Sequence, residues 1–319
     1  MPDSTRPMTP AELIAQRFHG GSIAGEHGDD FRLALVIEGG SARGVYSHGM
    51  VTGLEELGVL RCFDAVYGAS AGALNGAWLL CGRAARARRA WHSDVVRRVI
   101  SPARALRGGL VVDTRYLVHT VYERIVPMDF AAILGNSVTF HPIGTDIADG
   151  SAVDLRPHIS DIPSLQRALR ASTCMPVLAG RPVAVGGGRY VDAGLSESVP
   201  VTTARAQGAT HIVVLRTRRV DENPSIPSDF ERRVVARVLG ASGPTVAESW
   251  FARAAQFAAD EHRMASDPSI LQIRPPLGAP TIGRVARDST VLLRALDLGR
   301  AATLAALGES VRSTGDIAS

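Results

Sequence analysis

Twice between Arg32 and Leu80 an apolar run ends in a glycine-rich turn and passes directly into a helix-compatible stretch. The first run, Arg32-Leu33-Ala34-Leu35-Val36-Ile37, leads into Glu38-Gly39-Gly40-Ser41-Ala42-Arg43-Gly44. A helix is predicted from there to about Leu57, with Gly58 as its stop. The second run, Phe63-Asp64-Ala65-Val66-Tyr67, leads into Gly68-Ala69-Ser70-Ala71-Gly72, with a buried helix predicted over 71–80. Strand, glycine turn and helix, repeated in sequence, predict a parallel sheet with helices packed on it.

Further along, 83–135 reads as helical and arginine-rich, 137–147 as a strand and 162–171 as a helix. Residues 181–185 and 189–191, joined by Gly186-Gly187-Gly188, read as a hairpin-like pair that delivers Asp192 at a strand end. His211 opens another buried strand, 221–227 is a polar loop, and the rest is helical apart from a strand at 270–274. Residues 1–30 are polar and, apart from a short helical candidate at 11–18, without periodicity. They are expected to be a loosely attached leader to one domain over 31–310.

The second turn has the layout of a nucleophile elbow, a sharp strand-to-helix turn that projects a serine hydroxyl, here Ser70 between Gly68 and Gly72. Alone it is a weak signal: with 32 glycines in the chain, a G-x-S-x-G arises by chance in roughly 0.2 of such sequences. The first turn adds what acyl transfer needs besides a nucleophile. Gly39 and Gly40 let backbone N–H groups turn toward a developing oxyanion, the helix start adds its positive end, and Arg43 adds a charge. If the two strands are neighbours, the two turns meet at one sheet edge. The same glycine loop also fits, less completely, a dinucleotide-binding turn with Asp64 as the ribose acid. For the base that activates Ser70, His211 and His262 are candidates by type, but neither sits in a loop at a strand's carboxyl end.

Glu38–Gly44 with its basic residue, Gly68-Ala69-Ser70-Ala71-Gly72, and Ala171-Ser172-Thr173-Cys174-Met175-Pro176 followed by Tyr190-Val191-Asp192-Ala193-Gly194 and Val199-Pro200-Val201 stand in one order. Together with Thr145-Asp146 they resemble the patatin-like phospholipases over about 31–216. The resemblance implies a three-layer α/β/α fold with a mostly parallel central sheet. It implies a serine acyl hydrolase with a Ser70–Asp192 dyad and no catalytic histidine. Gly39, Gly40, Ser41 and Arg43 would form the oxyanion hole; Gly44, Gly68, Gly72 and Gly194 would support the motifs. No metal or cofactor is implied, and the substrate would be a lipid or phospholipid ester. Two positions depart from the family pattern: Ser41 and Ala193 stand where glycine is usual. A left-handed backbone at either would cost roughly 1–2 kcal/mol, so a non-catalytic lipid-binding relative is the alternative from another class.

Composition narrows the partners. All 35 basic residues are arginine, yet the net charge is only +4, which makes no case for nucleic acid. Eight arginines (83, 86, 88, 89, 97, 98, 104 and 107) against Asp94 read either as a solvated helical surface or as a face for anionic membrane headgroups. Trp250, Phe251 and Phe257 read as core packing, or as an apolar lip over the site. Cys62, Cys81 and Cys174 lack metal-ligand spacing and read as reduced core thiols of an intracellular, cytoplasmic protein. Residues 1–10 carry no apolar core of a secretory signal.

Overall fold

The computed structural model describes residues 7–176, 178–222 and 244–312. The two sequence-predicted units fold as expected: β1 (Leu33–Ile37) leads through a short 3-10 turn to the Gly44–Leu57 helix, and β2 (Ala65–Ala69) to the Ala71–Leu80 helix. Gly58 ends the first helix in the left-handed conformation that glycine adopts without penalty. The remaining strands are β3 (Thr139–Asp146), β4 (Ala152–Asp154), β5 (Val183–Val185), β6 (Gly188–Asp192), β7 (His211–Leu215) and β8 (Ile270–Ile273).

One sheet joins them in the order β5-β6-β3-β2-β1-β7-β8, with β4 on β3. The five strands from β3 to β8 are parallel, and β4, β5 and β6 pair antiparallel. The fold is thus α/β with a mostly parallel central sheet, as the sequence pattern and the resemblance implied. All five residues of β1 are buried. Leu33, Leu35 and Ile37 face one apolar cluster, with helical residues such as Val45, Met50 and Leu296; Ala34 and Val36 face another, with Ala204 and Met264. That alternation places helices on both faces of the sheet.

Two helices of the first layer approach to backbone contact. A Cβ on Gly49 would lie 1.9 Å from the Leu296 carbonyl oxygen, and one on Gly299 would lie 2.2 Å from that of Tyr46. The Gly44–Leu57 helix is thereby seated against Ser289–Arg312, far downstream.

From Pro10 onward the leader corrects the expectation of loose attachment. The Pro10–His19 helix, held by a capping box of Thr9 and Glu12, buries Leu13 and Ile14. Buried Arg17 bonds Asp29 (2.7 Å), Asp64 (2.9 Å) and the Cys62 and Phe31 carbonyls. A lone arginine in a polar stretch gives no hint of such a seat. Between 83 and 135 the helical reading resolves into short pieces, among them Ser93–Val99 and a π-type turn at Leu117–Ile125. The 221–227 loop lies mostly outside the described residues.

Candidate active site

The glycine loop follows β1 and Ser70 follows β2, and these neighbouring parallel strands put both at their carboxyl ends. Ligands of open α/β sheets bind there, above all where the chain reverses its order of strand addition. Here β1 lies between β2 and β7. Register then brings in Asp192. The last residue of β2, Ala69, pairs with Ile143, and the next residue of β3, Gly144, pairs across with Asp192. Ser70 and Asp192 therefore fall in one row on either side of β3.

Their side chains meet. Ser70 Oγ donates to Asp192 Oδ2 at 2.6 Å. The other carboxylate oxygen accepts the Gly194 N–H at 2.7 Å, and Thr145 Oγ1 donates to the Asp192 carbonyl at 2.8 Å. Asp192 is buried, and desolvation pushes its pKa up to about 6 against the Ser70 and Gly194 hydrogen bonds and the charge of Arg284. A carboxylate so placed is a stronger base than one in water.

Ser70 sits at φ 54°, ψ −124°. Among the described residues, Ser41 and Ser70 are the two non-glycine positions with positive φ. Such strain gathers at functional sites and persists only where its surroundings hold it. At Ser70 the hold is the Ser172 hydroxyl, which accepts its N–H at 3.0 Å. The elbow glycines are needed for close approach: a Cβ on Gly72 would lie 2.2 Å from the Ile37 carbonyl oxygen, and one on Gly68 would lie 2.5 Å from Ala73 Cα. Gly44 meets Ala71 in the same manner, at 2.5 Å, and Gly194 the Asp192 carboxylate, at 2.9 Å.

The glycine loop differs in one respect from the expectation. The Gly39 N–H donates to the Ser198 carbonyl at 3.0 Å, so it is not available to an oxyanion. The Gly40 and Ser41 N–H groups have no such partner among the described residues. Ser41 also shows how the chain tolerates a serine where glycine is usual. Its hydroxyl donates to the Arg284 carbonyl at 2.8 Å, and the same carbonyl accepts the Ala42 N–H at 3.2 Å. Ala193, the other departure, has negative φ and carries no left-handed strain.

Directly before the loop, fully buried Glu38 binds Arg216 Nε at 2.9 Å, the Thr217 N–H at 2.8 Å and Arg218 Nη1 at 3.5 Å. Burial opposes its charge, but Arg216, Arg218 and the Thr217 N–H prevail and hold its pKa below the usual range. Arg43 is buried, its Nε has no hydrogen-bond partner, and burial with the charges of Arg218 and Arg284 brings its pKa down to about 10. At neutral pH it remains a cation.

These residues border a cavity of about 240 Å³. Its walls are largely apolar, with Leu74, Trp78, Val96, Ile100 and Leu117; Trp250, Phe251 and Phe257 also line it. The lip reading of those aromatics thus describes their position better than core packing alone.

Among the described residues no histidine is hydrogen-bonded to Ser70, whose partners are Ser172 and Asp192. His211 pairs with Leu33, at the far end of the sheet from the site, about 13 Å along the strands at 3.3 Å per residue. His262 is exposed on a helix. His48 lines the cavity, but Trp91 donates to its Nδ1 at 2.6 Å and its Nε2–H donates to the Ala84 carbonyl at 2.9 Å. Burial pushes its pKa down to about 4, so it is neutral. The dinucleotide reading also fails on position: Asp64 precedes β2, where it accepts from Arg17 and the Leu33 N–H, away from the glycine loop. Among the described residues no cluster of histidine, cysteine or acidic groups could hold a metal ion, and no helix is long and apolar enough to cross a membrane. Several arginines of the 83–107 stretch are neutralised locally, Arg83 by Asp129, Arg88 by Asp297 and Arg89 by Asp94.

Comparison with known proteins identifies the family. The sequence profile of the patatin-like phospholipases matches residues 35–205, and the chain belongs to that family. It is 32% identical over 194 residues to the uncharacterized protein YjjU of Escherichia coli (strain K12), covering 58% of this chain and 52% of YjjU. The chain thus spans about half the length of that curated relative. Among solved structures, VipD from Legionella pneumophila superposes with a TM-score of 0.46 at 12% identity, over 88% of this chain and 67% of VipD. Human GIVD cytosolic phospholipase A2, solved with methyl gamma-linolenyl fluorophosphonate, gives a TM-score of 0.39 at 13% identity, over 95% and 62%.

Sequence reasoning missed Ser172, Ser198, Arg218 and Arg284. Ser172 falls within the Ala171–Pro176 motif, which is a usable signal. Nothing local marked Arg284.

Proposed function

We propose that this chain is a serine acyl hydrolase that cleaves carboxylic esters of lipids, phospholipids or lysophospholipids among them, with residues 31–310 acting as one hydrolase domain. The observation that carries the reading is the 2.6 Å hydrogen bond from Ser70 Oγ to a buried carboxylate, beside an apolar cavity. Ser70 attacks the ester carbonyl as its proton passes to Asp192. The Gly40 and Ser41 N–H groups, with the charge of Arg43, stabilise the oxyanion of the tetrahedral intermediate. Collapse expels the alcohol, which takes the proton from Asp192, and leaves an acyl group on Ser70. Water, deprotonated by the same carboxylate, attacks the acyl-enzyme and releases the fatty acid. The acyl chain occupies the apolar cavity, and the protein meets its substrate by peripheral contact with the cytoplasmic membrane surface.

A fluorophosphonate probe tests this directly. Wild type should be labelled and should hydrolyse a lysophospholipid. Ser70→Ala should do neither, and His211→Ala should do both. Absence of labelling and of ester hydrolysis in the wild type would favour a lipid-binding relative without catalysis. Loss of activity in a folded His211→Ala variant would refute the dyad.

A further inference from the structure

Arg284 lies well beyond the residues that the family profile matches. It is nevertheless fixed against the glycine loop, because its carbonyl accepts both the Ser41 hydroxyl and the Ala42 N–H. The segment before it is tied down as well: Tyr46 Oη donates to the Pro280 carbonyl at 2.5 Å. The Arg284 side chain lines the same cavity as Ser70, half-buried, with no hydrogen-bond or ion-pair partner among the described residues. Arg218 and Arg43 line it too.

The charges there do not balance. Glu38 is shared between Arg216 and Arg218 and is already saturated by the Thr217 N–H. Arg218 is held over the Phe257 ring at 4.8 Å. Arg43 and Arg284 form no ion pair among the described residues; burial and Arg218 destabilise each as a cation, while Glu38 and Glu222 favour the charge on Arg43 and Asp192 that on Arg284. Like charges held together in a partly desolvated cavity cost stability unless a ligand neutralises them. Arginine's planar fork matches a tetrahedral oxyanion and forms charge-assisted hydrogen bonds to it.

We propose that Arg284, with Arg218, forms a subsite for a phosphate group of the substrate lipid, next to the ester presented to Ser70. The proposal rests on the reading of the chain as a lipid acyl hydrolase, and it assigns specificity to a residue outside the matched family segment. Arg43 remains with the oxyanion, since it sits at the loop itself.

The test measures binding in a Ser70→Ala background, where turnover plays no part. The probes are an acylglycerol phosphate, the neutral monoacylglycerol with the same chain, and inorganic phosphate. The phosphate lipid should bind more tightly than the neutral one, and adding Arg284→Gln should reduce its affinity roughly ten- to hundredfold, the loss of one charge-assisted hydrogen bond. Arg284→Lys should restore part of that preference. Because the Arg284 carbonyl holds the glycine loop, both substitutions leave the tether in place, and a thermal melt verifies the fold. Equal affinity for the two lipids, or a preference that survives Arg284→Gln, overturns the subsite. Inorganic phosphate competing as well as the phosphate lipid overturns the assignment to a lipid group. Fluorophosphonate labelling and ester hydrolysis by the unaltered enzyme report on the underlying reading separately.

Discussion

Asp192→Asn should make this protein more stable at neutral pH and no more stable in acid. The folded state raises the acid from 3.8 to about 6, chiefly by desolvation, and its residue is 2% exposed. A folded pKa above the unfolded one means that the native state prefers the protonated acid, so ionisation works against folding. The penalty is absent below about pH 4, grows between about 4 and 6, and is complete above 6. At 1.36 kcal/mol per pH unit it reaches about 3 kcal/mol. Asparagine has nearly the shape of the protonated acid, keeps an acceptor for the Gly194 N–H, and carries no charge to desolvate. Thermal unfolding followed by circular dichroism, wild type against variant at pH 4.5, 6 and 8, isolates the effect, because every other carboxylate titrates in both proteins. The variant should gain roughly 4–5 °C at pH 8 and about a third of that at pH 4.5, while losing hydrolysis. A difference independent of pH, or a variant less stable at pH 8, would refute the argument that Asp192 is held as a costly buried base.

At position 41 the hydroxyl and the backbone can be separated: Ser41→Ala keeps the strained φ and loses the bond to the Arg284 carbonyl, whereas Ser41→Gly loses the bond and the strain together. Chemical denaturation should therefore find the alanine variant less stable than the glycine variant by about 1 kcal/mol. Gly72→Ala drives a methyl to 2.2 Å from the Ile37 carbonyl oxygen, backbone against backbone, and should cost about 3 kcal/mol or more along with nearly all activity, both measurable on one preparation.

Local pattern carried the sequence reading furthest. The Ala71–Leu80 helix, the Gly58 stop and the hairpin before Asp192 are each set by neighbours in sequence, through apolar runs and glycine punctuation. Ser70 and Asp192 were legible because they stand in ordered motifs; that they share a row across β3 is a consequence of register, which no single segment reveals. What stayed hidden depends on distant chain meeting chain. The Gly39 N–H looks like a free donor until Ser198 arrives with its carbonyl. Arg17 looks like a solvent-facing arginine in a polar leader until Asp29 and Asp64 surround it. Arg284 is one arginine in a chain full of them, and only the folded loop places it at the cavity.

The position of β1 limits how this chain can be divided. Its neighbour on one side is β2, inside the matched segment, but on the other it is β7, which begins at His211. A fragment cut at residue 205 would keep every motif residue of the dyad and still lose that partner. The fully buried β1 would become an open edge with an unpaired ladder of backbone donors and acceptors, the geometry that templates strand-to-strand aggregation. The apolar face that the Gly44–Leu57 helix turns toward Leu292 and Leu296 would be stripped at the same time. Proteins built from this chain by fusion or trimming should therefore retain the last helix, because the motif-bearing segment borrows part of its architecture from the residues that follow it.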